Sequence, residues 1–487
     1  MDYHLSLLKL DRESNYYEDA SLSPIFMGDV LNSSHESGVS GSNDQISQYG
    51  LLAGVTRERV PKYQQDQEVV NKTDPRVFFN ITTPSSTFIC GSQGSGKSHT
   101  LSCLLESCLI SSKAGKLQKP LTGLVFHYDT FFHDVGGSPC EAAFLSSHPG
   151  VQVRVLCAPT NLRTIQGTYS RFKIKVEPLQ IDQGDLNTKR MLDLMAVGQD
   201  NGPIPLYMHT VQRILRQMRM TQQSLGTPFN YAEFKQQVMD SGLLPGQLEP
   251  LRQRLETLES FMPLQQATGL GKKKNKKRGT DWNQQPRQLT IVDLSCPCIS
   301  SDTACSLFNI CFSIFLEERN TSGSIVALDE AHKYMDNTAE AKSFTELLLS
   351  TVRLQRHLGI RVVVSTQEPT ISKSLLSLCS VIIVHRFSSP EWLRALRSHI
   401  AAAAKGEDVY RESDAEEEKE EEGEASMFDR IVDLHVGEAL LFSPTAIIRA
   451  PKGAHANQDV QRLGAGYLKI KVRSRLTEDG GKSVLSK

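Results

Sequence analysis

The chain has 487 residues, 39% of them apolar and 22% charged, and a formal net charge of -1. That length suits two or three domains. The near-neutral balance excludes global attraction to a polyanion or a membrane surface, and no run of about 18 apolar residues is present to span a bilayer.

Residues 1–70 are rich in Ser, Gly, Asn, Gln and Asp. They have little to bury and are expected to form a disordered tail. The first twenty residues lack a basic start and an apolar signal core, which predicts an intracellular protein of cytoplasm or nucleus. Order is expected from about residue 71 to 454, beginning near "DPRVFFNITTPSSTFIC". Strands are predicted at 76–81 and 87–90, then in "LTGLVFHYD", "VQVRVLCAP" and "FKIKVEPL". Residues 185–263 carry a helical pattern too long for an ordinary connection and are expected to be an inserted helical lobe. A basic loop follows at 271–280 ("GKKKNKKRG"). Further strands are predicted in "RQLTIVDLS", "GSIVALDEAHKYM", "IRVVVSTQEP", "SVIIVHRF" and "VGEALLFSP", with helices between them. One of those helices is "SPEWLRALRSHI", capped by Ser389 with Pro390 at its first position. An acidic loop is expected at 403–425 and a loosely packed tail at 455–487. Ten cysteines form no C-x-x-C pair. Most lie in apolar segments (Cys90, Cys103, Cys108, Cys157, Cys311, Cys379), as buried free thiols of a reducing compartment do. Cys296 and Cys298 have no second pair nearby to complete a metal site.

The alternation of strand and helix predicts a mostly parallel sheet with helices on both faces. Ligands in such sheets bind at the carboxyl ends of strands. One strand end stands out. After Thr87–Cys90 come Gly91, Ser92, Gln93, Gly94, Ser95, Gly96, Lys97, Ser98 and His99. Residues 91–98 fill the pattern G-x-x-x-x-G-K-[ST], and apolar residues follow at helical spacing (Leu101, Leu104, Leu105). Glycines let successive backbone N–H groups turn inward around a phosphate, and the helix N-terminus adds partial positive charge. Lys97 is expected on the β- and γ-phosphates of ATP, and the Ser98 hydroxyl on Mg²⁺.

A phosphate loop needs a carboxylate for the metal and a group to activate water. Asp293 and Asp329 both end apolar strands, but only Asp329 is followed by a second acid, Glu330. Asp329 in the metal shell with Glu330 polarising water is the pairing expected of a hydrolase. The next strand, "RVVVSTQEP", ends near Gln367, a candidate to sense the γ-phosphate or hold the attacking water. An alternative use of Asp329 and Glu330 is as an acidic pair favouring a helix N-terminus.

"FICGSQGSGKSHTL", "IVALDEAHKYM", "RHLGIRVVVSTQEPTIS" and "VGEALLFSP", in this order, resemble the HerA-FtsK group of P-loop ATPases over about residues 75–450. The resemblance implies an α/β, three-layer P-loop NTPase fold of the RecA-like type, here with a helical insertion and disordered termini. It places the Walker A residues at Gly91–Ser98, the Walker B Asp and catalytic Glu at Asp329 and Glu330, and the polar sensor at Gln367. It also implies a homo-oligomer, a hexameric ring in many relatives, that moves DNA and completes each site with an Arg from a neighbour. The candidates for that Arg are Arg353, Arg356, Arg386, Arg394 and Arg397. The small β-barrel that HerA-type proteins carry before the core has no counterpart in the expected tail. The string "DEAH" at 329–332 does not imply a DEAH-box helicase, since nothing like Q-x-x-G-R-x-G-R follows. The expected function is Mg²⁺-dependent ATP hydrolysis driving an oligomeric motor on nucleic acid. The competing reading is a nucleotide-gated ATPase that remodels or signals to protein partners without translocating DNA.

Overall fold

The computed structural model describes residues 21–31, 46–56, 74–130, 137–195, 206–267, 279–318, 323–400, 427–449 and 460–480. They fall into two compact units, Met1–Leu121 with Ser324–Val326 and Val352–Lys487, and Thr122–Gly323 with Ala327–Thr351. In chain order the first unit supplies β1 (Ile25–Met27), β2 (Tyr49–Val55), β3 (Arg76–Asn80), β4 (Ser86–Cys90) and β5 (Gly115–Lys116). The second supplies β6 (Thr122–His127), β7 (Gln152–Cys157), β8 (Lys175–Pro178) and β9 (Gln288–Asp293). The division falls within β10 (Ser324–Leu328). The first unit then adds β11 (Ile360–Thr366), β12 (Val381–Val384), β13 (Glu438–Phe442), β14 (Ile447–Arg449), β15 (Gln461–Arg462) and β16 (Leu468–Val472).

Within the first unit the strand order is β15-β14-β1-β3-β2-β16-β13-β12-β4-β11. The runs "STFIC", "VIIV" and "IRVVVST" are buried along their whole length, as strands covered on both faces must be. They are the parallel part, with β4 between β11 and β12. By contrast β16, "LKIKV", alternates lysine with apolar residues and runs antiparallel to β13 and β2. Such alternation marks a strand with one wet face.

The outer strands correct two expectations. Residues 21–31 and 46–56 belong to the segment read as a disordered tail, yet β1 and β2 pair antiparallel with β3. Phe26 and Phe78 stack at 5.5 Å, with Tyr49 edge-on to both, and Val30 and Ile447 complete the cluster. The apolar runs "SPIFMGDV" and "YGLLAGV" are short, and polar residues around them dilute the composition on which the expectation rested.

The C-terminal expectation of a loose tail fails likewise, because β15 and β16 join the sheet and residues 473–477 close over the helix Lys97–Leu109. Glu106 of that helix is fully buried. It accepts from Arg473 Nη1 at 2.7 Å, from the backbone N–H of Leu476 and Thr477, and from the Thr477 hydroxyl at 2.6 Å. The basic run 272–278 and the acidic loop 403–425 lie outside the described residues.

The second unit contains a parallel sheet of order β6-β9-β7-β8, in line with the predicted βα alternation. The helix Ser301–Glu317, capped by the Ser300 hydroxyl on the Thr303 N–H, packs Phe308 and Phe312 against Phe126 and Phe344. Helices of the second unit before β9 include Thr188–Met195, Leu206–Leu225, Tyr231–Met239 and Pro245–Ser260. No helix among the described residues is long and apolar enough to cross a membrane.

Candidate functional site

Three parallel strands end together in the first unit. Cys90 pairs with Thr366 on one side and Val384 on the other, so the next residues out are Gly91, Gln367 and His385. Gly91, Gly94 and Gly96 take φ values of 151°, 71° and 115°, a region that side chains disfavour. A Cβ on Gly91 would lie 2.6 Å from the Cβ of His385, and one on Gly96 would lie 3.1 Å from the backbone of Gly437. The loop is anchored on its own strand ends. The N–H and hydroxyl of Ser92 both donate to the Arg386 carbonyl at 2.8 Å, and the Gly437 N–H donates to the Ser95 carbonyl. Lys97 is buried, and its Nζ donates to the Ser92 carbonyl at 3.0 Å across the loop. Gln93 and Gly94 are exposed, and Ser98 and His99 are partly so. The first four N–H groups of a helix have no partner inside it, so the 13-residue helix from Lys97 opens on the loop with donors and a positive dipole end.

Gln367 lies at this same edge, partly buried, in the middle of a turn in which the Glu368 N–H donates to the Thr366 hydroxyl. Among the arginine candidates, Arg386 is at the edge and exposed. Arg353, Arg356 and Arg394 are exposed elsewhere in the unit, and Arg397 is partly buried.

His385 is a part of this site that the sequence reading missed. It is fully buried. Its Nδ1 faces the Glu438 carbonyl at 2.9 Å, and its Nε2 faces the Thr100 hydroxyl at 2.9 Å. A carbonyl only accepts, so Nδ1 carries the proton and Nε2 accepts from Thr100. Burial holds the imidazole down at about 4, and His385 is therefore neutral near pH 7. It braces the loop from behind, linking the strand end, the loop helix and Glu438. The only signal was a histidine closing the apolar run "SVIIVH".

The second unit carries the two predicted acids. Asp329 follows β10 and is buried, its N–H donating to the Phe126 carbonyl. Its Oδ2 is 3.2 Å from His127 Nδ1 and 3.6 Å from Cys140 Sγ. Its Oδ1 is buried with no hydrogen-bond partner. Burial pushes this carboxyl up, but the hydrogen bond and charge of His127 outweigh it and hold the group below the usual carboxylate range. In His127 burial pulls the other way and loses to Cys140 and Asp329, so its imidazole is raised. Glu330 has φ 47°, a left-handed conformation costing a non-glycine residue roughly 1–2 kcal/mol. Strain of this kind concentrates at functional sites. Its Oε2 lies 3.4 Å from His332 Nδ1. Asp293, the other strand-end acid, has both oxygens occupied. Oδ2 accepts from the Tyr169 hydroxyl at 2.7 Å and Oδ1 from the Ser295 N–H at 3.0 Å.

Sequence separates these residues widely, and neither His127 nor Cys140 was singled out for this role. The structure brings Gly91–His99 and Gln367 to one edge of the first unit, and it sets Asp329 and Glu330 in succession within the second.

No family model matches the chain, and no curated protein matches its sequence. Among solved structures, the chain is similar to VirB4 of Thermoanaerobacter pseudethanolicus, at 11% identity over 89% of this chain and 98% of that one, with a TM-score of 0.48. It is also similar to the plasmid coupling protein TrwB in complex with the non-hydrolysable GTP analogue GDPNP, at 11% identity over 81% and 87%, with a TM-score of 0.44. A third is the genome packaging NTPase B204 from Sulfolobus turreted icosahedral virus 2 in complex with sulfate, at 9% identity over 74% and 91%, with a TM-score of 0.30. Likeness at this level decides nothing about chemistry, which has to come from the residues themselves.

Proposed function

We propose that this chain is a Mg²⁺-dependent ATPase working as an oligomeric motor on nucleic acid. The observation that carries the ATPase reading is the loop at 91–98. Three glycines with positive φ, a buried lysine and a helix N-terminus stand at the ends of three parallel strands. That is the arrangement that cradles a triphosphate.

In this reading backbone N–H groups of the loop and of the first turn of its helix hold the β-phosphate, and Lys97 moves from the Ser92 carbonyl onto the β- and γ-phosphates. The donor set suits Mg²⁺, a hard ion that takes oxygen ligands. The Ser98 hydroxyl is partly exposed at the helix start, and Asp329 has a carboxylate oxygen with no other partner. When bound, Mg²⁺ neutralises charge developing on the phosphate oxygens. Glu330 polarises the attacking water, Gln367 orients it or senses the γ-phosphate, and an arginine of a neighbouring copy stabilises the transferring group. The nucleic-acid substrate and the homo-oligomer, a hexameric ring, follow from the HerA-FtsK resemblance alone.

The test is steady-state ATP turnover with and without single- and double-stranded DNA, beside Lys97→Ala and Glu330→Gln. Turnover raised by DNA and lost in both variants supports the motor. Turnover indifferent to DNA removes translocation and leaves the ATPase. No turnover in the wild type, with or without DNA, overturns the enzyme reading.

A further inference from the structure

We propose that His127, Cys140 and Asp329 form a binding site for a thiophilic divalent cation of the Zn²⁺ class. One donor atom from each lies within 4.8 Å of the others, and all three residues are buried. The spacing is that of a coordination shell. Nδ1 to Oδ2 is 3.2 Å, and Sγ to Oδ2 is 3.6 Å. A tetrahedral ion with bonds of about 2.0–2.1 Å to nitrogen and oxygen and about 2.3 Å to sulfur holds such pairs roughly 3.3 and 3.6 Å apart. Two of the three pairs thus have the separations that such an ion imposes, and the third lies within 4.8 Å.

The donor types select the ion. Imidazole and thiolate favour Zn²⁺ over Mg²⁺ or Ca²⁺, which take oxygen ligands. The charges balance, because one carboxylate and one thiolate offset a divalent ion. On binding, the proton between His127 and Asp329 and the thiol proton of Cys140 leave to solvent, as ligand deprotonation requires.

A second observation concerns Tyr334 of the same unit, whose hydroxyl is buried without a hydrogen-bond partner. Buried polar atoms are seldom left so. Burial first, and then the charges of Asp329, Cys305 and Cys140, raise that hydroxyl well above the tyrosine range. Of the Asp329 carboxylate, Oδ2 serves this ion. The inference stands on this cluster and does not depend on ATP turnover.

The experiment uses the full-length protein, stripped with a chelator and reloaded with Zn²⁺ or Co²⁺. Wild type is expected to hold about one Zn²⁺ per chain, to melt at higher temperature when loaded, and to show a thiolate-to-Co²⁺ charge-transfer band in the near ultraviolet. Cys140→Ser and His127→Gln are expected to lose that band or at least tenfold in affinity. A folded wild type that takes up no stoichiometric Zn²⁺ overturns the proposal, with no appeal to the variants, and leaves His127 as a hydrogen-bond partner that orients Asp329. Retention of the ion at wild-type affinity in both variants overturns it equally, by placing the ion elsewhere.

Discussion

The phosphate loop and the Asp329 cluster are built on opposite plans. The loop is made of backbone. Its shape comes from three glycines, its anchors are bonds from Ser92 to the Arg386 carbonyl and from the Gly437 N–H to the Ser95 carbonyl, and its buried lysine, Lys97, sits within the motif. The cluster is made of side chains. Asp329 is set by His127 and Cys140, and Asp293 nearby in the same unit is closed off by Tyr169 and Ser295. A backbone site is compact in sequence, whereas a side-chain site is drawn from strand ends two hundred residues apart.

The comparison breaks most sharply on activity. Lys97→Ala is expected to cost at least 10²–10³-fold in ATP turnover and to weaken nucleotide binding, while Glu330→Gln costs about 10²–10⁴-fold with binding kept. Turnover assays paired with equilibrium nucleotide binding check this. A Glu330→Gln enzyme of wild-type rate would remove the second unit from the chemistry.

Next in size is a stability effect on the loop's own helix. Glu106→Ala strips the acceptor from Arg473, Leu476 and Thr477, and breaking a buried charged network costs about 3–5 kcal/mol. Thermal or denaturant unfolding measures it, and a change under about 1 kcal/mol would show that residues 473–477 are not bound as described.

A third test uses pH. His385 is buried neutral, with a folded value of about 4 against about 6.5 unfolded. Above about 6.5 both states are neutral and the contribution is level. As pH falls below it the unfolded chain takes up a proton that the folded chain refuses, so stability is lost down to about 4, by on the order of 3 kcal/mol. Denaturant unfolding at stepped pH is expected to show this slope, and His385→Gln, which keeps one donor and one acceptor, is expected to flatten it.

The smallest effect is at Gln367. Gln367→Ala is expected to lower turnover only severalfold, with nucleotide affinity little changed. Single-turnover kinetics would show whether the loss falls on the chemical step.

Most of the first plan was legible in the sequence. The strand, the loop pattern and the helix are contiguous, and the β-branched runs of β4, β11 and β12 announce buried parallel strands. Asp329 and Glu330 were also legible, as acids after four apolar residues. His127 and His385 were not, because a lone histidine closing an apolar run looks the same whether it is packed or employed, and Cys140 was not, because a cysteine in "GGSPCE" carries no pattern at all. The outer strands were missed for a different reason. β1 and β2 bury only a few residues each, and their order comes from pairing with β3 rather than from local composition. The parallel sheets rest on periods that a window can see, whereas β1 and β14 pair with each other from opposite ends of the described chain.

The buried carboxylate of Glu106 has a consequence for the order of synthesis. The glycine loop and its helix are made well before the groups that match Glu106, which are residues 473–477, with 367 positions between Glu106 and Arg473. Until residue 477 has been made, the helix behind the loop holds an acid whose place in the interior has no donors. A product interrupted before Arg473 carries an intact motif on an unfinished helix.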